Sequence, residues 1–550
     1  MKKSFRVQLL TSSLLIGSAA IATPSFAQVA TPSEARSNVE QTAEADQGSD
    51  IVVTGSRIAN PNLEQSSPVV SIGSEEIARQ APTSVENFLR ELPGTVAGTN
   101  ENLNNGANGT ATFNLRGLGS NRNLVLLNSP RVVLSGLTNV TDLNNIPISL
   151  IQRVDVFTGG AVTAYGADAI SGVVNFITKQ DFSGVDLTVQ QGISGRGDGA
   201  KTRLDLVTGA NFDGGRGNVT FAVNYTKVNP VLQGDRDYSF LSRQSTCSAA
   251  AGQTTTGAAP TACDLATIGI QQGSNTAVPA SLFFPLPAGS AFSAAGGGRF
   301  DPATGTIVPG LSDYNFSPLN LFQTPLERYS LFGQAHYKVT DGIEVYSEGF
   351  YSRNKVRVEV APTGTFTNAL QIPLNNQFLT AAQRTQLCSF AQQSGAGITN
   401  CPNAIAAGTE ITAVVARRFV ETGAHVTTFN SNAFQITAGI RGKITDTLKF
   451  DIFGQHCEAD RPNTATGGSL ADRVQQGLRN CPTGSTPGCV PINIFGDNGS
   501  ITPAALAFIS TPTSTFVETQ FTTAQAILNG DFGVGSPFAK NPIGIAVGAE

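Results

Sequence analysis

Three histidines, seven cysteines and several glycine pairs are the side chains and backbone breaks in this 550-residue chain that could support chemistry. His336, His425 and His456 are far apart and lack the short spacing with which imidazoles share a metal, so no metal site is expected. Gly159-Gly160 could cradle a phosphate, but no Lys-Ser/Thr follows as a phosphate loop requires. Gly159, Gly160 and Gly166 read instead as tight turns with close backbone approach. There is no Gly-x-Ser-x-Gly elbow and no plausible acid/base pair, so neither enzyme chemistry nor a cofactor is expected. Cys247/Cys263, Cys388/Cys401 and Cys481/Cys489 form close pairs in Gly/Pro/Ser/Asn-rich stretches, which read as disulfide staples of an exported chain. Cys457 is left over in a strand-like segment and reads as a small apolar side chain. The remaining candidate is a stretch of backbone. Asp50, Ile51, Val52, Val53, Thr54 and Gly55 form a β-prone patch between polar segments, and such a patch on a flexible tether can add itself as a strand to a sheet edge. A first strand of the domain that follows is the other reading.

The elements that must position these residues begin with an export signal. Lys2, Lys3 and Arg6 precede the apolar segment Val7 to Ile21, and Ser25-Phe26-Ala27 offers a small-x-small cleavage site, giving a signal over 1–27. Residues 28 to about 49 are polar and acidic, with almost nothing to bury, and read as a flexible periplasmic tail. Charged residues make up only 14% of the chain, and no later run approaches the ~20 apolar residues of a spanning helix. A net charge of -5 and a pI near 5.4 argue against a nucleic-acid partner.

From about 66 to 180 the pattern is a small α/β domain. It has a strand at Pro68 to Ile72, a helix capped by Thr83 with Glu86 three residues on, and arms at Leu124 to Leu127 and Arg131 to Leu134 around Asn128-Ser129-Pro130. Strands at Arg153 to Phe157 and Gly172 to Thr178 complete it. After about 183, segments of alternating polarity take over. Val185, Leu187 and Val189 alternate with Asp186, Thr188 and Gln190, and in Tyr329 to Val339 the polar side carries Arg328, Ser330, Gln334, His336 and Lys338. One face suits lipid and the other a wet lumen. Tight turns at 214–217 and 340–342 alternate with long, low-charge connections at 229–327, 356–411 and 459–513, the asymmetry of an outer-membrane barrel with its long loops outside. A soluble β-sandwich would not put so many charges on one face opposite a purely apolar one.

Phe113-Asn114-Leu115-Arg116-Gly117-Leu118-Gly119 and the run Ile148 to Lys179 resemble the plug domain of TonB-dependent outer-membrane receptors. The run contains Ile151-Gln152-Arg153-Val154-Asp155-Val156, Ala164-Tyr165-Gly166 and Gly172-Val173-Val174-Asn175. The resemblance implies a partial antiparallel transmembrane β-barrel with an N-terminal α/β plug domain in its lumen. It implies a solute bound on the extracellular side and energy from the inner-membrane TonB complex. Asp50–Gly55 resembles the TonB box. By motif match, Arg116 and Arg153 take the places of plug arginines that pair with wall glutamates; Glu344 and Glu348 lie in a barrel-like strand. Pairing would relieve charges that would be costly if left dry.

The expected organisation is a signal at 1–27, a tail with the box at 28–65, a plug at 66–180 and barrel wall from 181 to 550. The expected function is energised uptake of a scarce large solute of the siderophore, cobalamin or oligosaccharide class, at the cell outer membrane and in contact with its lipid. An adhesin or structural surface protein is the alternative, but it needs neither plug nor box. About nine or ten wall strands are legible, whereas plugged transporters have about 22, so the chain reads as truncated and not expected to transport alone.

Overall fold

The computed structural model describes residues 69–80, 82–159, 165–247, 268–274, 276–284, 289–366, 368–535 and 542–550. The export signal, the acidic tail and Asp50–Gly55 lie outside the described residues.

The first body is built on a four-stranded sheet of Val69–Gly73 (β1), Asn123–Leu127 (β2), Ile151–Phe157 (β3) and Gly172–Thr178 (β4), in the order β1-β3-β4-β2. β3 is antiparallel to both neighbours, and β4 runs parallel to β2. Two helices precede β2: Ser74–Gln80 (α1), which the sequence reading does not contain, and Val85–Leu89 (α2). The cap of α2 corrects the expectation of Thr83 paired with Glu86. Ser84 is the capping position, and Asn87 Oδ1 accepts from the N–H groups of Thr83 (3.2 Å) and Ser84 (3.1 Å). Glu86 is turned inward and buried, so it cannot reach back over the turn. Arg131 to Leu134 makes a bridge and a turn rather than a full second arm, with Arg131 opposite Leu126 and the Val132 N–H donating to Val125.

The second body is an antiparallel wall. Its main path joins Gly184–Gly192 (β5), Lys201–Phe212 (β6), Gly217–Val228 (β7), Leu326–Thr340 (β8), Ile343–Val360 (β9), His425–Lys443 (β10), Leu448–Asp460 (β11), Glu518–Gly535 (β12) and Pro542–Ala549 (β13), each paired with the next. Period-2 alternation puts one side chain out and the next in. Val185, Leu187, Val219, Phe221, Leu331, Ile436 and Ile452 are exposed, while Asp205, Asn224, Ser330, Gln334, Ser352, Thr437 and Gln455 are buried. Apolar outside and polar inside inverts the rule for a protein in water and fits a wall between lipid and lumen. Aromatic pairs mark both ends: Phe212 stacks on Tyr337 (5.9 Å) near the short turns, and Tyr225 meets Tyr329 (5.0 Å) towards the long connections. Tyr329 and Tyr337 are separated by about 27 Å of extended chain, close to the ~25 Å height of an outer-membrane apolar band. Among the described residues, no helix is long and apolar enough to cross a membrane.

The three long connections fold into one packed body. Its sheet runs in the order Thr306–Pro309, Gly298–Asp301, Leu282–Phe284, Glu410–Ala416, Ala369–Pro373. The longer helices that join it are Ala381–Gln393 (α3), Cys401–Ala407 (α4), Ala471–Leu478 (α5) and Pro503–Ile509 (α6). Its core draws Phe283, Leu387, Val415, Val474, Ile494 and Phe508 from all three connections. Cys388–Cys401 and Cys481–Cys489 are disulfides, each spanning 5.7 Å between Cα atoms. Cys263 lies outside the described residues. Cys457 is free and buried in β11.

Candidate functional site: the seam between plug and wall

The polar inner face of the wall is hydrogen-bonded at many points to the backbone and side chains of the first body. Arg328 of β8 donates to Thr83 O (2.9 Å) and Asn144 O (3.1 Å), and also to Thr226 Oγ1 (3.0 Å) and Asn224 Oδ1 (3.3 Å). Arg203 of β6 donates to Pro82 O at 2.6 Å and pairs with Asp205 at 2.6 Å. Gln455 of β11 donates to Arg131 O (2.9 Å), and Gln435 of β10 accepts from the Val133 N–H (2.9 Å). Asn354 of β9 donates to Asn145 Oδ1 (2.9 Å), and Gln334 of β8 accepts from Thr178 Oγ1 (2.8 Å). Each such bond replaces one that water would supply, so each adds only about 1 kcal/mol net. A seam of this kind holds the plug in place but can open when water enters.

One row of the wall departs from that polarity. Val207, Ala222, Phe332, Phe350, Gln435, Cys457 and Phe521 stand directly opposite one another across seven successive strands and form an inward belt. All but Gln435 are apolar. Apart from Phe521, which is half-buried, they are buried, and the apolar ones share a core with Phe88, Leu115, Val154 and Phe176 of the plug. The belt explains why Cys457 is a buried thiol with no partner sulfur.

The expected motif residues occupy distinct places. Arg116 is exposed, with φ +57°, and forms with Gly117 (φ +69°) a left-handed turn whose Arg116 N–H donates to Gly94 O at 2.7 Å. Arg153 lies half-buried beside Asp155 of its own strand (3.3 Å), and Asp155 accepts from Ser71 Oγ at 2.7 Å, which ties β1 to β3. Among the described residues neither arginine meets a wall glutamate. Glu344 instead accepts from Arg441 Nε (2.7 Å) and Glu348 from Asn128 Nδ2 (2.5 Å). Asn175 accepts from the Ser129 N–H (3.2 Å), supporting the turn that presents Asn128 to the wall. Tyr165 O accepts from Arg131 Nη2 (2.6 Å), and Gly166 follows with φ +81°. Gly172 has φ +150°, and a Cβ there would sit 2.2 Å from Phe157 O, so only glycine fits between β3 and β4.

Two plug carboxyls are buried near this seam. Burial pushes Asp142 up to about 6, partly offset by N–H donors from Ala111 and Asn144. Burial likewise pushes Glu86 up to about 7, against the nearby Arg90 guanidinium. The sequence reading places Arg328 and Gln334 on a polar face without naming what they hold. The carbonyls they serve are 245 and 155 residues away in the chain, and no local spacing reveals them.

A compact α/β body hydrogen-bonded to the inner face of a lipid-faced antiparallel wall defines a plugged outer-membrane β-barrel. Residues 61–173 match the TonB-dependent Receptor Plug Domain family. Solved structures similar to the chain include the siderophore receptor PirA from Acinetobacter baumannii, at 13% identity and a TM-score of 0.44, covering 89% of this chain and 48% of that one. The ferric enterobactin receptor PfeA from Pseudomonas aeruginosa is similar at 14% identity and a TM-score of 0.35, covering 85% of this chain and 57% of that one. FpvA from the same organism, bound to heterologous pyoverdines, is similar at 10% identity and a TM-score of 0.38, covering 86% and 50%. The chain spans about half the length of these proteins.

Proposed function

We propose that this chain supplies the plug and part of the wall of a receptor for energised uptake of a scarce large solute of the siderophore, cobalamin or oligosaccharide class. In this reading residues 1–27 are the export signal, 28–65 the tail carrying the box, 66–180 the plug and 181–550 wall. Asp50–Gly55 is the strand offered to TonB. Arg116, Gly117, Arg153, Tyr165, Gly166, Gly172 and Asn175 shape the plug that TonB pulls. The observation that supports it most is the seam itself: wall side chains bonded to plug carbonyls, strong enough to seat the plug and wet enough to release it. An adhesin has no use for such a seam.

The test is capture of TonB's periplasmic domain by the purified chain. Val52→Pro removes a backbone donor and the extended conformation of the added strand. Capture should fall at least tenfold with Val52→Pro and persist with Val52→Ile. Equal capture by the proline variant rules out this patch as the coupling strand.

A further inference from the structure

The outer mouth of the receptor can be located by its contacts. Asn104 of the plug donates to Glu359 O (2.6 Å) at the long-connection end of β9, and Arg461, beyond β11, donates to Asn108 O (3.1 Å). The plug loop around Asn104 and the hairpin around Leu137 therefore face the side of the long connections. Asn102, Asn105, Leu137, Thr138 and Asn139 are exposed there, and Leu137 is 84% exposed.

None of these residues is charged, and the neutrality extends beyond them. There is no lysine or arginine from Leu92 to Leu115 or from Val132 to Gln152. The acids of these stretches are Glu101, paired with Lys201 at 2.6 Å, and Asp142, buried. The three long connections contain no lysine at all. Several arginines in or next to them are engaged internally: Arg236 with Asp198, Arg417 with Glu421 and Arg479 with Glu410, each at 2.6 Å, while Arg461 donates to Asn108 O and lies over the Phe429 ring. Arg418 donates to Pro362 O (2.8 Å) and lies between the rings of Tyr314 and Phe366. A polyanion brought onto this surface would lose its hydration and meet few cations, chiefly an Arg461 already bonded to the plug backbone, which is strongly unfavourable. Asparagine and threonine, by contrast, offer both donors and acceptors to uncharged partners.

We infer that the solute recognised at this mouth is electrically neutral and rich in hydroxyl or amide groups, so that hydrogen bonds rather than ion pairs select it. This rests on the uptake reading for its biological sense, but it concerns binding alone. Two sources share that chemistry: a neutral oligosaccharide and a neutral ferric trihydroxamate. The test is titration of the purified chain in detergent with a charge-graded panel. It comprises maltoheptaose, a ferric trihydroxamate, an oligogalacturonate of matched length and a trianionic ferric tris-catecholate. Saturable binding of either neutral probe, at least tenfold tighter than its anionic counterpart and insensitive to salt between 50 and 500 mM (about a threefold change in screening length), is the expected result. Whichever neutral probe binds identifies the source. Binding of an anionic probe that weakens with salt, or no binding of either neutral probe, overturns the inference. TonB capture is measured separately, so failure of the uptake reading leaves this result standing and the reverse also holds.

Discussion

Arg328 is the residue on which the plug's seat most depends. It is buried at 2% exposure, and its guanidinium serves two plug carbonyls and two wall side chains. Arg328→Met keeps the volume and removes every donor, leaving Thr83 O and Asn144 O unserved. The expected cost is about 3 kcal/mol, read as a lower guanidinium midpoint for loss of plug structure. Asp142 and Glu86 set a pH dependence of opposite sign to that of a surface carboxylate. Both sit above their ordinary values in the folded protein, so it holds protons that the unfolded chain has released. Their stabilisation is complete below about pH 4 and is lost as pH rises through about 6 for Asp142 and about 7 for Glu86. The denaturant midpoint of the plug should therefore fall between pH 4 and 7.5, and Asp142→Asn with Glu86→Gln should flatten the curve. At this scale the sequence reveals which residues are inward, because alternation along β8 separates Arg328 and Gln334 from Tyr329 and Leu331. It does not reveal their partners. Hydrogen bonds across 245 residues leave no local trace, and the arginines that stood out by motif, Arg116 and Arg153, are engaged in turn and sheet geometry instead.

Among the elements, strands were easier to read than helices. β4 coincides with the expected Gly172 to Thr178, and β8 grows by a few residues around Tyr329 to Val339. The outer body was not legible as a body because its core is split among three connections that meet only in space. A signal for one part was present: Thr380 and Gln383 form a capping box at the start of α3, with Leu387 and Phe390 buried after it. The Cys388–Cys401 bond joins α3 to α4 across 13 residues. Closing a loop of that size restrains the unfolded chain by about 3 kcal/mol. Cys388→Ser with Cys401→Ser should make α3 and α4 the first protease-sensitive segment, with the wall's β signature in circular dichroism unchanged. Dithiothreitol on the parent chain should reproduce the effect.

For the molecule as a whole, the proposed uptake requires the plug and wall to part when force arrives. Asn145 and Asn354 touch across the seam at 2.9 Å. A disulfide made by Asn145→Cys with Asn354→Cys should fasten the plug to the wall, read as a raised denaturant midpoint for loss of plug structure that returns to the parent value when reductant is added.

The inward belt carries a mechanical consequence. Across β7, β8 and β9 it is one residue tall, and the rows on either side of it there are polar: Asn224, Ser330 and Ser352 on one, Thr220, Gln334 and Glu348 on the other. Residues of the same face along a strand are about 7 Å apart. A plug that slips by that distance trades grease against grease for grease against polar side chains across these three strands, and the trade worsens in either direction. The cork therefore rests in a detent: small tugs spring back, and only a displacement longer than one notch lets it travel.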